Sequence, residues 1–571
     1  MDSSAGEAPP SAASTLLASL AAKGIDYFFA NPGTDFPPII ESFARAAKSG
    51  SAVPRPVLVP HENAAVAMAH GVYMVSGRPQ AVMVHVNVGT GNTLNCLINA
   101  ARDEVPILLM AGRSPLTEGD AHGARNRHIH WAQEMFDQAG MLREIVKWDY
   151  ELRTPDQVED VVARAIERAT ASPRGPIYLS LPREVLAAPV RASNRPPARR
   201  APVEAAYPDP QAIATLAGWI AAAERPLVIT GHAGREPAGA LALARLAERF
   251  ALPVVTFNPR SLCLPSGHPM HQGYQPRALL EKADLVIVLE SDVPWFPSEE
   301  APPEAARIVH IGEDPTYARY PIRSFPTDLV VTARVAVALG LLEEALAERV
   351  PAGDAKIAER RRHHAARAAE LRQRWAKDGE EAGKAGFIKP EWISRCLRAA
   401  LDPDAIVVNE YPLRLEHFPQ EKPGGYFALS PAGGLGWSLP AALGAKLAAP
   451  DRFVCAVMGD GAYIFANPTA CHWAAAAHKL PILAIVFNNG LYGAVRRATL
   501  SMYADGVAAE GQGRFLAELG PPTDYEKLVE ANGGYGARVE KPDELPAALA
   551  RAVAVVTRER RQALVNVVCQ Y

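Results

Sequence analysis

The chain has 571 residues, of which 49% are hydrophobic and 21% charged, and its formal net charge is −3. Such a length implies about three or four domains with ample apolar material for their cores, and so even a charge balance speaks against a polyanion-binding surface and a nucleic-acid partner. Six cysteines (Cys96, Cys263, Cys396, Cys455, Cys471 and Cys569) lack metal-ligand spacing, and no apolar run is long enough to span a membrane; the expectation is a soluble, cytoplasmic protein with reduced, buried thiols and no membrane partner.

Residues 1–13 carry neither a basic region nor an apolar stretch and read as a disordered tail rather than a targeting signal. From 14 to 190, helical and strand-like segments alternate. A helix is expected over 14–22, and strands near 27–30, 57–59, 81–85, 107–110 and 177–181. Polar turns such as Asn31-Pro32-Gly33 and Pro60-His61-Glu62-Asn63 follow them. The Pro- and Arg-rich stretch 191–205 reads as a linker. A second block, 206–345, repeats the alternation with strands near 227–230, 254–257, 285–289, 308–311 and 329–332. Residues 346–386 read as a charged, Ala-rich helical connection, in which the run Arg360 to His364 forms a solvated face. The third block, 387–571, has strands near 406–408, 453–458, 482–487 and 563–568. The pattern predicts three α/β domains, each a doubly wound parallel sheet, with the first and third broadly similar in layout.

The third block also holds the clearest chemistry. One apolar run ends in Gly459-Asp460-Gly461 and a second in Asn488-Asn489-Gly490, with 26 residues between Gly461 and Asn488 and a crossover helix expected around 470–478. Both polar clusters therefore fall at the carboxyl ends of parallel strands, where open α/β sheets place ligands. A carboxylate, a carboxamide and a nearby carbonyl are hard oxygen ligands that suit Mg2+ shared with a phosphate group. Glycines on both sides of Asp460 let backbone N–H groups approach the anion. Read separately, the two clusters also fit a strand-end turn and a hairpin signal. Glu62, just after a strand, also fits a plain helix N-terminus when read alone.

Gly-Asp-Gly followed at this distance by Asn-Asn-Gly resembles the diphosphate-binding motif of thiamine diphosphate enzymes. From about residue 14 to 568 the chain resembles the thiamine diphosphate-dependent decarboxylase family, which includes benzoylformate decarboxylase and acetohydroxyacid synthase. Its hallmarks stand here as Asn31-Pro32-Gly33-Thr34, His85 with Gly89-Thr90-Gly91-Asn92, Lys147-Trp148-Asp149-Tyr150, Ala432-Gly433-Gly434-Leu435-Gly436, and Asn488-Asn489-Gly490-Leu491-Tyr492-Gly493. The resemblance implies thiamine diphosphate and Mg2+ as cofactors. It also implies a pyrimidine-binding domain at 14–190, a middle domain at 206–345 and a diphosphate- and Mg-binding domain at 387–571. The family places its cofactor between two subunits, so a homodimer at least, and more often a homotetramer, is implied.

Carried over by resemblance, Asp460, Asn489 and the Leu491 carbonyl hold the metal, and Gly461, Ala462 and Tyr492 surround the diphosphate. The Gly433 carbonyl accepts from the aminopyrimidine, and Leu435 wedges the cofactor into a bend that brings its internal base to the carbon it deprotonates. Glu62 shares a proton with the aminopyrimidine ring, a task served by a carboxyl whose proton affinity is raised in apolar surroundings. Thr34 and His85 sit over the reacting carbon, where an imidazole holds the substrate carboxylate and relays a proton. Gln133 resembles the glutamine beside the cofactor in acetohydroxyacid synthase, while His122, His128 and His130 before it read as surface residues. Leu491, Trp295 and Phe465 are candidates to shape the substrate pocket.

Three departures from benzoylformate decarboxylase put the substrate in doubt. Tyr411-Pro412-Leu413-Arg414 replaces hydroxyl residues that contact the diphosphate, and Ala462 replaces a serine. Ser291 to Pro297 in the middle block lacks the second active-site histidine, and equally lacks the arginine segment that helps hold FAD in acetohydroxyacid synthase. The implied activity is thiamine diphosphate- and Mg-dependent non-oxidative decarboxylation of a 2-oxo acid to an aldehyde. The alternative is a carboligase that joins a 2-oxo acid-derived enamine to a second carbonyl; FAD binding, which goes with that alternative, stays open. A third reading, a nucleotide-binding protein that has lost catalysis, has only the incomplete fingerprint Thr230-Gly231-His232-Ala233-Gly234 in its favour.

Overall fold

Near-continuous apolar runs form strands buried on both faces of parallel sheets. The computed structural model describes residues 9–191 and 206–570 and arranges their strands in three sheets, every pairing parallel. The first contains β1 (Tyr27–Asn31), β2 (Arg55–Leu58), β3 (Gln80–Val84), β4 (Ile107–Arg113), β5 (Asp149–Glu151) and β6 (Ile177–Pro182), in the order β2-β1-β3-β4-β6-β5. The second contains β7 (Pro226–Thr230), β8 (Val254–Thr256), β9 (Leu285–Leu289), β10 (Arg307–Gly312) and β11 (Leu329–Thr332), in the order β11-β10-β9-β7-β8. The third contains β12 (Ile406–Glu410), β13 (Tyr426–Ala428), β14 (Val454–Gly459), β15 (Leu483–Asn488), β16 (Tyr535–Val539) and β17 (Ala563–Val568), in the order β13-β12-β14-β15-β17-β16. Renumbered from its own first strand, the third sheet has the same order as the first. In both, the order reverses beside the first strand, which makes a crevice at the carboxyl ends of the first and third strands.

The described chain falls into two compact units. One takes residues 9–191 together with Ser430–Pro450 and Ile464–Leu480; the other takes 206–429, Asp451–Tyr463 and 481–570. The helices Ser438–Ala448 and Pro468–Ala477, which interrupt the third sheet in sequence, are thus packed in the unit of the first sheet.

That unit is built on a helix pair. The helix Glu62–Ser76 is buried without interruption from Asn63 to Tyr73 and packs on Ser438–Ala448. Five alanines and glycines in its first ten residues leave little side chain between the two axes. A Cβ at Gly71 would lie 1.9 Å from the Ala441 carbonyl oxygen, and one at Gly444 would lie 1.9 Å from that of Met68. Backbone therefore meets backbone at two points. Trp437 closes the contact, its indole N–H donating to His70 Nδ1 at 3.2 Å. Burial pushes the His70 imidazole down to about 3, so it accepts that bond as a neutral ring.

Two sequence expectations need correction. Order begins before residue 14: Ser11 caps the helix Ala12–Ala22, and Ala12 and Ala13 are fully buried. The first eight residues of the expected tail, and residues 192–205 of the expected linker, lie outside the described residues. The run from Arg360 is not a solvated face throughout. Arg360 is buried in the 28-residue helix Ala355–Ala382 and donates to the carbonyls of Phe250 and Ala251, at the end of the helix Pro237–Phe250. Its cation thus meets carbonyls that a helix end leaves without partners. All six cysteines are buried and free, and no described helix is long and apolar enough to cross a membrane.

Gly71→Ala tests the helix contact. Alanine recovers about 1 kcal/mol of helix propensity, but forcing the backbones apart costs about 3 kcal/mol. A net loss near 2 kcal/mol is expected in urea unfolding followed by circular dichroism. An unchanged midpoint would mean that the helices do not approach this closely.

Candidate active site

The first unit gathers four of the expected residues at the carboxyl ends of its strands. Glu62 opens its helix four residues after β2 ends at Leu58. Both of its carboxyl oxygens are held: Asn31 Nδ2, at the end of β1, donates to Oε1 at 2.8 Å, and Asn92 Nδ2 donates to Oε2 at 2.6 Å. The partners are carboxamides, not the apolar wall that the sequence suggested. A Cβ at Gly89 would lie 3.4 Å from Oε1, so that glycine keeps the approach to Glu62 open.

The same segment holds the Gly433–Leu435 loop. Asn99 clasps Gly434 in both directions, its Nδ2 donating to the Gly434 carbonyl at 2.7 Å and its Oδ1 accepting from the Gly434 N–H at 3.0 Å. Asn95 Nδ2 donates to the Leu435 carbonyl at 2.8 Å. A side chain at 434 would strike Asn95 and Asn99, and Gly433 itself sits at φ 70°, a conformation glycine adopts without strain. Asn92, Asn95 and Asn99 recur at helical spacing. Asn92 belongs to a hallmark motif that gave it no role, and Asn95 and Asn99 were missed by sequence reasoning, although a polar stripe in an otherwise apolar segment was there to be seen.

His85 ends the turn after β3, and its Nδ1 lies 2.6 Å from Asp35 Oδ1. Asp35 is buried and its second oxygen accepts from the Val86 N–H. That contact holds Val86 at φ 32°, an unusual angle for a β-branched residue that costs on the order of 1–3 kcal/mol. Space for the pair comes from two glycines: a Cβ at Gly33 would overlap the His85 ring, and one at Gly112 would lie 1.9 Å from Asp35 Oδ2. A carboxylate accepts, so the neutral imidazole carries its proton on Nδ1 and presents a lone pair at Nε2. Gln133 Nε2 lies 3.2 Å from that nitrogen.

Thr34 Oγ1 lies 3.5 Å from His130 Nε2. His130 corrects the expectation of three surface histidines, because it is 2% exposed whereas His122 and His128 are exposed. Arg183, after β6, ties the two segments together: it donates to the Thr34 carbonyl at 3.0 Å and to the carbonyls of Gly123 and Ala124. Neither His130 nor Arg183 carried a motif signal, and Asp35 carried at most a faint one.

In the other unit, Asp460 opens a helix directly after β14 and is 2% exposed. Its Oδ1 accepts from the Gly461 N–H at 2.9 Å and its Oδ2 from the Gly490 N–H at 2.7 Å, which joins the two motifs directly. Burial raises the carboxyl to about 6, and the backbone N–H groups only partly offset this. No cationic side chain contributes to that balance. A buried carboxylate without a cation calls for one. Among the described residues no group of three or more His, Cys, Asp or Glu could hold a metal, so a cation here takes Asp460 together with amide and carbonyl oxygens, a donor set that fits Mg2+.

Asn489 Oδ1 accepts from the Leu491 N–H at 3.1 Å, and the Leu491 carbonyl accepts from the Gly493 N–H at 2.9 Å, leaving a second lone pair. Asn489 and Leu491 line a cavity of about 330 Å3 with Gly490, Thr523 and Tyr525. The Tyr492 ring lies against Gly461, where any Cβ would come within 2.6 Å of it, and Ala462 is buried beside them. Of the pocket candidates, Trp295 is excluded: it is buried in the core of the second sheet against Phe325.

Comparison with known proteins matches this arrangement to one group. Residues 10–141, 213–340 and 412–567 match the N-terminal TPP binding domain, the central domain and the C-terminal TPP binding domain of thiamine pyrophosphate enzymes. A benzoylformate decarboxylase of Pseudomonas aeruginosa is 30% identical over 83% of this chain and 85% of its own length. An acetolactate synthase of Mycobacterium bovis is 26% identical over 95% of this chain and 86% of its own. The structure of a thiamine diphosphate-dependent 4-hydroxybenzoylformate decarboxylase from Rhodococcus jostii RHA1 superposes with a TM-score of 0.76 at 25% identity, covering 98% of this chain and 99% of that one.

The Asp460 carboxyl gives a test with a definite sign. Because folding raises its affinity for a proton, the folded state loses stability as pH rises from about 4 through about 6, and the full cost is felt above that. Without cofactors, Asp460→Asn is expected to be more stable than the wild type by on the order of 2 kcal/mol at pH 7.5, with the gap closing toward pH 4. Added Mg2+ and thiamine diphosphate should raise the unfolding temperature of the wild type and leave the variant unmoved. A variant stabilised equally by the cofactors would remove Asp460 from the cation site.

Proposed function

Because the chain belongs to the thiamine diphosphate-dependent decarboxylase family, we propose that it catalyses the Mg2+-dependent, non-oxidative decarboxylation of a 2-oxo acid to an aldehyde. It is an enzyme of the benzoylformate decarboxylase and acetolactate synthase group. The observation that carries the finer reading is the His85–Asp35 pair. An aldehyde product needs a proton delivered to carbon after CO2 departs, and an imidazole fixed at Nδ1 by a buried carboxylate can carry that proton at Nε2.

When bound, thiamine diphosphate supplies the carbon nucleophile that attacks the keto group and takes up the electron pair released with CO2. The side chains divide the remaining work. Asp460, Asn489 and the Leu491 carbonyl would hold Mg2+, while the backbone at Gly461 and Ala462 and the Tyr492 ring would line the diphosphate. Glu62, steadied by Asn31 and Asn92, would share a proton with the aminopyrimidine. The Gly433 carbonyl would accept from the aminopyrimidine, and Leu435, fixed through its own carbonyl by Asn95, would pack against the cofactor. Thr34 and Gln133 meet the substrate with His85. With hydroxyls missing at 411–414 and 462, the diphosphate would rely more on backbone N–H groups and Mg2+.

Carboligation remains the second reading, favoured by Gln133 at the very nitrogen that would deliver the proton. The proposed non-oxidative reaction needs no FAD. At the carboxyl end of the second sheet Arg235 lies 3.6 Å from Glu290 and 3.7 Å from Glu313, and the Glu290 carboxylate also takes the Glu313 N–H. The enzyme is proposed to work in the cytoplasm as a homodimer at least, with a homotetramer as the fuller assembly.

Holoenzyme supplied with benzoylformate is expected to release CO2 and benzaldehyde, and an added acceptor aldehyde should leave the product unchanged. Acetolactate or another acyloin from pyruvate would favour the carboligase. His85→Ala should lower aldehyde formation by about 100-fold or more; a variant as fast as wild type would remove His85 from proton delivery.

A further inference from the structure

His130 is a buried imidazole that the reaction scheme leaves without a task. Its hydrogen bonds determine its state. The Asn126 backbone N–H donates to Nδ1 at 3.2 Å, so the ring's own proton sits on Nε2, and Nε2 faces Thr34 Oγ1 at 3.5 Å. His85 carries the opposite tautomer, with its proton on Nδ1 toward Asp35. Desolvation first, then the charges of Arg183, Arg127 and Arg125 and the neighbouring His85, push the His130 imidazole below its ordinary value, and no carboxylate counters them. The neutral ring is therefore an N–H donor at Nε2, and it is too covered to meet a ligand itself.

Its effect falls on Thr34. A hydroxyl that accepts from a ring N–H has one hydrogen of its own to place, and must place it elsewhere. Thr34 is half-buried, at the carboxyl end of β1 in the crevice it shares with His85, and Arg183 pins its backbone from behind. We propose that His130 is a positioning residue: by donating from Nε2 to Thr34 Oγ1, it turns the Thr34 hydroxyl outward as the donor for the carboxylate of the substrate. Of the arginines whose charges reach the ring, Arg125 is paired with Glu134, and Arg183 is spent on backbone carbonyls. The inference rests on the reading of the substrate as a 2-oxo acid.

The test uses holoenzyme loaded with thiamine diphosphate and Mg2+, and compares wild type, His130→Phe, His130→Gln, Thr34→Val and the His130→Phe/Thr34→Val double variant. Mandelate, which keeps a carboxylate, and benzyl alcohol, which lacks one, serve as non-reacting probes of binding. His130→Phe is expected to weaken mandelate about tenfold, as loss of a hydrogen bond to a charged group does, and to leave benzyl alcohol unmoved. Thr34→Val should do the same, the double variant should be no worse than either single one, and His130→Gln, which keeps a donor at the same reach, should restore most of the loss. With a turned-over 2-oxo acid, His130→Phe should raise KM by a larger factor than it lowers kcat. Equal weakening of both probes, or additive losses in the double variant, would overturn the proposal. Nitrogen-15 NMR of the imidazoles gives a readout that needs no ligand: an Nε2–H tautomer for His130 between pH 8 and 6 supports it, and an Nδ1–H tautomer overturns it. Absence of any turnover with the coupling intact would instead sink the decarboxylase reading alone.

Discussion

Two glycines, each facing the other helix's carbonyl, set the distance on which the first unit depends. Gly71 faces Ala441 and Gly444 faces Met68, so the helices Glu62–Ser76 and Ser438–Ala448 meet through their backbones. The consequence is chemical as well as structural. One helix begins with Glu62, and the other begins three residues after Leu435. A rigid pair therefore holds the carboxyl and the Gly433–Leu435 loop at a fixed spacing, and Asn92, Asn95 and Asn99 trim that spacing with hydrogen bonds to both. Side-chain packing alone would leave rotamer freedom here; backbone contact leaves almost none.

Charge is distributed on a different principle in each half. Asp460 is a buried anion whose only partners are backbone N–H groups, so its neutralisation is left to a cation from outside the chain. In the first unit two buried charges have their partners inside: Asp35 meets His85, and Arg183 meets three carbonyls. One half is thus completed by binding, whereas the other is preorganised before anything binds.

Much of this was legible because the chemistry is local in sequence. Asp460 and Asn489 stand at the ends of strands whose apolar runs are unmistakable, and Glu62 and His85 follow strands in the same way. The middle sheet was read strand for strand. The three strands that went unread, β5, β13 and β16, are all at sheet edges, where one neighbour is missing; β5 and β13 are only three residues long, and β5 and β16 are mixed in polarity. What the sequence concealed depends on tertiary partners. Arg360 looked like surface until it met the end of another helix, and His130 looked like surface until Arg183 drew its loop over Thr34. Asp35 carried a faint signal, a lone acid leading into the apolar run from Phe36 to Ile40. The matching strand orders of the first and third sheets lie beyond any short-range repeat.

Glu62, held at the head of its helix, is proposed to activate thiamine diphosphate. Exchange of the thiazolium C2 proton for deuterium on the enzyme, followed by acid quench and proton NMR, reports that step without reference to any substrate. Wild-type holoenzyme should exchange orders of magnitude faster than the free cofactor, and Glu62→Gln should fall back toward the free rate while still binding thiamine diphosphate and Mg2+. Equal exchange in wild type and variant would contradict the account.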